Sequence, residues 1–323
     1  MVAGENGCAN TLAKYEATAA SLQSSKGLGS FPYRKYDGFW YAEHLMAPTL
    51  AMQDTFVARP TTMPKSGTTW LKALAFCVMH RGRHEPADER HSLLVSSPHE
   101  LVAFLHSLYE NHGSAPPGPL LEKTPPPRVL AVHTPFSALP VSVRESGCRI
   151  VYLCRDPKDA FVSLRHYLDE IKPAGCAMTP FPEAFDLFCD GVSPFGPVWD
   201  HMAEYWKESV ARPEEVMFLR YEHLKEDTVE SVRRLAEFLG TDEEAARGVP
   251  EAVVALCSTA RMRSVEANRD RVHGHDRWVF KNSAFFRKGE VGDWKAHMTA
   301  EMAWRLDGLV EKLRGSGLSL TRN

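Results

Sequence analysis

No stretch of this chain approaches the apolar length needed to cross a bilayer, and its N-terminus lacks the basic-then-apolar order of a signal peptide. No membrane partner is expected. Cys-x-x-Cys and Cys/His spacings that would suit zinc are missing, and the seven cysteines are odd in number and scattered: Cys8, Cys77, Cys148, Cys154, Cys176, Cys189 and Cys257. They read as reduced thiols of a cytoplasmic protein, with no metal site. An excess of one charge is absent too, since the formal net charge is −3 over 323 residues. That gives no sign of a nucleic-acid partner, so any basic residues that matter act locally. No linker, charge block or internal repeat divides the chain, which is long enough for one large core. Residues 1–30, rich in Ala, Ser and Gly, read as a weakly ordered leader, with a single domain over 31–323.

A Walker A sequence is also missing, but Pro64-Lys65-Ser66-Gly67-Thr68-Thr69-Trp70 stands directly before an apolar run from Leu71 to Met79. Gly67 permits a tight turn, so the N–H groups of Ser66 to Thr69 can converge on an oxyanion at the positive end of the following helix. Lys65 supplies a point charge, and the hydroxyls of Ser66, Thr68 and Thr69 supply donors. Because lysine precedes glycine, the expected phosphate or sulfate site does not depend on a metal. An ordinary Ser/Thr cap of a helix is the other reading of the same residues.

Beyond the loop, strand and helix patterns alternate. Val129 to Val132, Arg149 to Cys154 and Val216 to Leu219 read as strands. Lys158 to Leu168, Val198 to Val210, Thr228 to Leu239, Glu243 to Cys257 and Thr299 to Leu313 read as helices. The expected fold is therefore α/β, a single domain with a central parallel sheet covered by helices on both faces. Ligands of such sheets sit beyond the carboxyl ends of the strands, where His133, Arg155 and Tyr221 fall. Taken singly, His133 also suits a satisfied histidine, Arg155 a partner of Asp156, and Ser163 a solvent-facing helix position. Arg287-Lys288-Gly289 with the glycine three residues on, Gly292, suits a loop folded over an anion, or a plain basic turn.

Five stretches in one order carry a family resemblance: Pro64–Leu74, Arg128–Phe136, Val151–Asp159, Ser193–His201 and Phe285–Lys295. The chain resembles the cytosolic sulfotransferases that use 3′-phosphoadenosine 5′-phosphosulfate (PAPS), nearest to the plant flavonol type. The resemblance implies a P-loop-like phosphosulfate loop at Lys65 to Thr69 and a ring, Trp70, stacked on adenine. It implies a 3′-phosphate clamp from Arg155, Ser163, Arg287, Lys288 and Gly289, an adenine contact at Tyr221, and His133 as catalytic base. Lys65 would stabilise the departing phosphate, and the acceptor would be a small hydroxylated molecule such as a flavonoid, phenol or steroid. Expected walls for it are Tyr36 and Trp40, Phe104 to Tyr109, Phe136, Tyr167 to Ile171 and Val265 to Val279.

Three departures from the family pattern stand out. About seven residues of an apolar strand are missing between Ala58-Arg59-Pro60 and the loop, so either Asp54 to Ala58 substitutes for it or the cofactor binds poorly. Thr259 replaces an adenine-packing phenylalanine. The dimer motif survives at only two of four defining positions in Lys295 to Trp304, which suggests a monomer or weak homodimer. A catalytically weak nucleotide-binding protein and a phosphate-loop kinase remain as rival readings.

Overall fold

The computed structural model describes residues 15–53, 61–62, 64–107, 127–241, 248–275 and 278–320. Its centre is strand β7, Ile150–Cys154, in which all five residues are buried. A strand this apolar on both sides needs cover on both faces, and it has it. Ile150, Tyr152 and Cys154 join one apolar cluster with Phe161, Phe188 and Tyr205, whereas Val151 and Leu153 join another with Leu71, Leu74, Val232 and Val253. The first layer comprises helices α4 (Pro157–Ile171), α5 (Phe181–Cys189), α6 (Val198–Ala211) and α10 (Ala300–Glu311). The second comprises α2 (Thr68–His80), α8 (Thr228–Phe238) and α9 (Val249–Leu256). Each fully buried aliphatic or aromatic side chain contributes about 1.5–3 kcal/mol, so these layers dominate the stability of the sheet.

Strand β7 pairs in parallel with β8, Val216–Arg220, over five residues, from Ile150 opposite Val216 to Cys154 opposite Arg220. On its other side it pairs with β4, Thr61–Thr62, opposite Tyr152 and Leu153. Thr61 and Thr62 thus hold the strand position that feeds the loop, although only two residues long. The suggested substitute, Asp54 to Ala58, lies outside the described residues. The strand expected over Val129 to Val132 is shorter, Leu130–Ala131 (β6), and pairs in parallel with β5, Ala103–Phe104, apart from the β4–β7–β8 sheet.

The N-terminal boundary differs from expectation. Residues 15–21 are helical, β1 (Ser24–Ser25) pairs with β2 (Tyr33–Tyr36), and Leu28 is fully buried, with its carbonyl accepting from Arg165. Apolar anchors among the small residues, Ala19 and Leu28, tie this stretch to the core. Strand β3, Phe39–Ala42, completes an antiparallel sheet and leads into α1, Glu43–Gln53. Of the helix expected over Glu243 to Cys257, 243–247 lie outside the described residues; the described part, Val249–Leu256, follows Gly248 in the left-handed region and has Pro250 in its first turn. Among the described residues no helix is long and apolar enough to cross a membrane.

Candidate active site

The loop after β4 turns through two left-handed residues, Lys65 at φ 61° and Gly67 at φ 108°. Glycine is required at the second: a Cβ there would lie 2.8 Å from Tyr221 Cδ2 and 3.1 Å from Leu153 Cδ2. The N-cap of α2, Gly67, makes no side-chain hydrogen bond to the first turn, whose N–H groups stand at the positive end of the helix. Ser66 Oγ is buried without a hydrogen-bond partner. Lys65 places its Nζ 4.2 Å from the centre of the Tyr167 ring. Burial, then the guanidinium groups of Arg287 and Arg155, push its ammonium down to about 7, against the opposing charge of Glu170.

Arg155 follows β7 directly and is 5% exposed. It pairs with the wholly buried Asp159 at 3.5 Å, lies 4.6 Å from the centre of the Tyr221 ring and donates to the Glu290 carbonyl. Asp159 in turn accepts from the backbone N–H of Gly292 at 2.7 Å and of Trp294 at 3.0 Å, so one carboxylate fixes both the arginine and the distant loop. Arg287 and Lys288 both pair with Asp293. Although burial opposes it, the hydrogen bonds from Lys288 and Arg287 hold the Asp293 carboxyl well below the usual carboxylate range. Among the described residues Arg155 Nε and Arg287 Nε are buried without partners, two orphaned donors of residues that line one cavity, which suits a polyanionic ligand. Tyr221, the first residue of α7 (Tyr221–Glu226), donates to the Gly289 carbonyl at 2.9 Å and meets Trp70 edge to face at 5.8 Å.

That cavity, of about 310 Å³, brings together Lys65, Gly67, Thr68, Thr69, Trp70, Arg155, Ser163, Tyr221, Thr259, Arg287 and Gly289 with His133. Of the residues expected at the site, Ser66 and Lys288 lie outside its lining, the second turned onto Asp293. His133 lies two residues past β6, with its ring 4.8 Å from Phe104 and 5.6 Å from Phe195. Its carbonyl accepts from His201 Nε2 at 2.9 Å, and since a carbonyl only accepts, the His201 proton sits on Nε2. His201 Nδ1 then accepts from the Tyr152 hydroxyl at 2.9 Å, and burial holds this ring neutral, down to about 4. Tyr205, one turn further along α6, donates to the Thr134 carbonyl at 2.8 Å. One helix therefore clamps two successive carbonyls beside His133.

The acceptor walls are partly as expected. Phe104, Ser107, Tyr167, Leu168 and Ile171 line the cavity; Leu108 and Tyr109 lie outside the described residues. Tyr36, Trp40 and Phe136 do not line it: Tyr36 and Trp40 belong to apolar clusters, and Phe136 packs on Tyr205 and Arg212. The N-terminal sheet presents Phe31, Tyr33, Ala42, His44 and Leu45 instead. From the expected Val265 to Val279 stretch no residue of 265–272 lines the cavity, and the side chains of 273–279 lie outside the described residues; the flanking Met262 and Phe280 do line it. Phe195 and His99 also line it and were not singled out from sequence. A capping box, Ser97 to Glu100, was the readable signal near His99.

A sulfotransferase domain model matches residues 54–317. The chain belongs to the sulfotransferase family. It is 40% identical over 319 residues to cytosolic sulfotransferase 16 of Arabidopsis thaliana, covering 95% of this chain and 93% of that protein. To the flavonol 3-sulfotransferase of Flaveria bidentis it is 38% identical, covering 90% and 94%. Among solved structures, an Arabidopsis thaliana sulphotransferase superposes with TM-score 0.73 at 33% identity, covering 94% of each chain. Mouse sulfotransferase SULT7A1 complexed with PAP gives TM-score 0.66 at 25% identity, covering 88% of this chain and 95% of that one. The resemblance read from the sequence is borne out, and the chain is a PAPS-dependent sulfotransferase acting on small-molecule acceptors.

Proposed function

We propose that this sulfotransferase acts on a hydroxyl of a small, largely apolar acceptor of flavonoid, phenol or steroid type, with His133 as general base. The observation that carries the reading is the single cavity with loop, arginines and Tyr221 at one end and an aromatic chamber with His133 at the other. PAPS supplies the sulfuryl group. Lys65 and the N–H groups at the start of α2 are placed to stabilise charge growing on the departing phosphate oxygen. Arg155, Ser163, Arg287 and Gly289 hold the 3′-phosphate, and Trp70 and Tyr221 flank the adenine. His133 takes the hydroxyl proton as the new O–S bond forms, while Tyr152, His201 and Tyr205 fix the backbone on which it stands. The named cytosolic relatives support a cytoplasmic location, and the divergent Lys295 to Trp304 segment supports a monomer or weak homodimer.

Turnover of labelled PAPS with a panel of hydroxylated acceptors tests this. His133→Ala should lower kcat by about 100-fold or more and leave affinity for 3′,5′-adenosine bisphosphate (PAP) unchanged. Full turnover in His133→Ala refutes the base. One observation favours a second reading, a catalytically weak nucleotide binder: among the described residues β4 supplies only Thr61–Thr62 ahead of the loop. PAP binding without turnover of any acceptor would support it.

A further inference from the structure

Lys72 lies one turn into α2 and is 2% exposed. Among the described residues no carboxylate pairs with it. Its Nζ lies 3.0 Å from the Val102 carbonyl and 3.2 Å from His99 Nδ1, and His99 Nε2 lies 2.9 Å from Thr69 Oγ1. Val102 is the C-cap of α3, Pro98–Leu101, whose capping box sets His99 in place. The ring of His99 lies on Phe285, with centroids 4.0 Å apart.

We propose that Lys72 and His99 are positioning residues that set the direction of the Thr69 hydroxyl, making it a donor toward the 5′-phosphosulfate end of the cavity. The inference rests on the reading of Thr69 as part of the phosphosulfate loop. The argument is one of donor polarity. In its protonated form Lys72 has hydrogens for both Val102 O and His99 Nδ1 and no lone pair with which to accept, so Nδ1 accepts and the ring proton resides on Nε2. Nε2–H then donates to Thr69 Oγ1. One lone pair of that oxygen is occupied, and its own hydrogen has no other partner among the described residues. In the opposite tautomer an N–H would face the amine, and the Thr69 hydrogen would be consumed by Nε2, leaving only lone pairs to meet an anion. Lys72 therefore imposes the polarity that an anion site needs, from a distance at which it does not itself touch the ligand.

The test is calorimetric binding of PAP to the full chain and to Lys72→Met, His99→Leu and His99→Gln, each with and without Thr69→Val. Lys72→Met and His99→Leu should each weaken PAP by about tenfold when Thr69 is present and by less than about twofold in the Thr69→Val background. His99→Gln, which returns an N–H donor near the Nε2 position, should stay within about threefold of the parent. Should Lys72→Met fail to melt as a folded protein, the His99 pair decides alone. Equal losses in both backgrounds, or no loss, overturn the relay while leaving the loop assignment intact. A parent chain that binds no PAP overturns the loop assignment and the relay with it.

Discussion

The depressed ammonium of Lys65 makes donor binding pH-dependent in a direction that can be computed. Burial and the adjacent Arg287 and Arg155 bring it from 10.5 to about 7, with only Glu170 opposing. A phosphate beside it reverses the balance, because an opposite charge favours the protonated form. Ligand binding therefore takes up a proton wherever free Lys65 is neutral. Below pH 7 the lysine is already charged and contributes no dependence; above it, affinity falls by up to about tenfold per pH unit. If the bound form stays protonated through pH 9, the loss between pH 7 and pH 9 is about fifty-fold. The phosphates of PAP complete their ionisation near pH 6, so this window lies above their own titration. Calorimetry in buffers of different ionisation enthalpy should give about half a proton taken up per ligand at pH 7 and about 0.9 at pH 8. Lys65→Met should bind weakly with no slope. Lys72, also brought to about 7 by burial, is the competing source, and a slope that survives in Lys65→Met refutes the assignment to Lys65.

Gly67→Ala should lower PAP affinity by about tenfold and stability by about 1–3 kcal/mol, since it sets a Cβ in the left-handed region against the Tyr221 ring; an unchanged melting curve would show that the loop relaxes freely. Asp159→Ala strands the buried Arg155 and frees the N–H groups of Gly292 and Trp294. It should cost about 3–5 kcal/mol, seen as a lower melting temperature, and loosen PAP binding with it. Inserting Asp-Val-Val-Leu-Ala between Pro60 and Thr61 should raise melting temperature and PAP affinity together by extending β4 along β7. A fall in both would show that the natural chain already fills that place.

The residues proposed to hold the donor were legible because they obey local rules. Gly67 needs its conformation whatever surrounds it, and Arg155 and Tyr221 stand where strands β7 and β8 end, a place set by the apolar runs themselves. The acceptor walls obey no local rule. Which residues of the N-terminal hairpin face the cavity depends on its register against the rest of the fold, so Tyr33 and His44 face it where Tyr36 and Trp40 were expected. Phe195 was quoted within a family stretch without a role, because the fold alone brings it to 5.6 Å from His133. The relation of Asp293 to Arg287 and Lys288 was equally hidden: six and five residues apart in sequence, they meet only because the loop turns back on Asp159.

The two-residue pairing of β4 with β7 among the described residues leaves both halves of the proposed site to be positioned by helices. In a longer sheet, β6 and β7 would be tied to one another through β4, and the distance from His133 to Lys65 would be set by ladders. Among the described residues β4 reaches β7 over two residues and β6 pairs with β5 alone. His133 is held instead by α6, through the hydrogen bonds of His201 and Tyr205, and α6 is referenced to β7 through the Tyr152 hydroxyl. Lys65 is referenced to the same strand through Gly67, whose backbone closes on Leu153 and Tyr221. Tyr152 and Leu153, adjacent residues pointing to opposite faces of β7, thus each carry one half of the register between the proposed base and the proposed donor loop. Tyr152→Phe separates this arrangement from one in which the sheet alone positions the base. It leaves the strand intact and removes the hydroxyl, so kcat should fall by about tenfold while PAP affinity, which depends on the Leu153 side, stays level. Parallel losses in both quantities would show that the two faces of the strand are not independent.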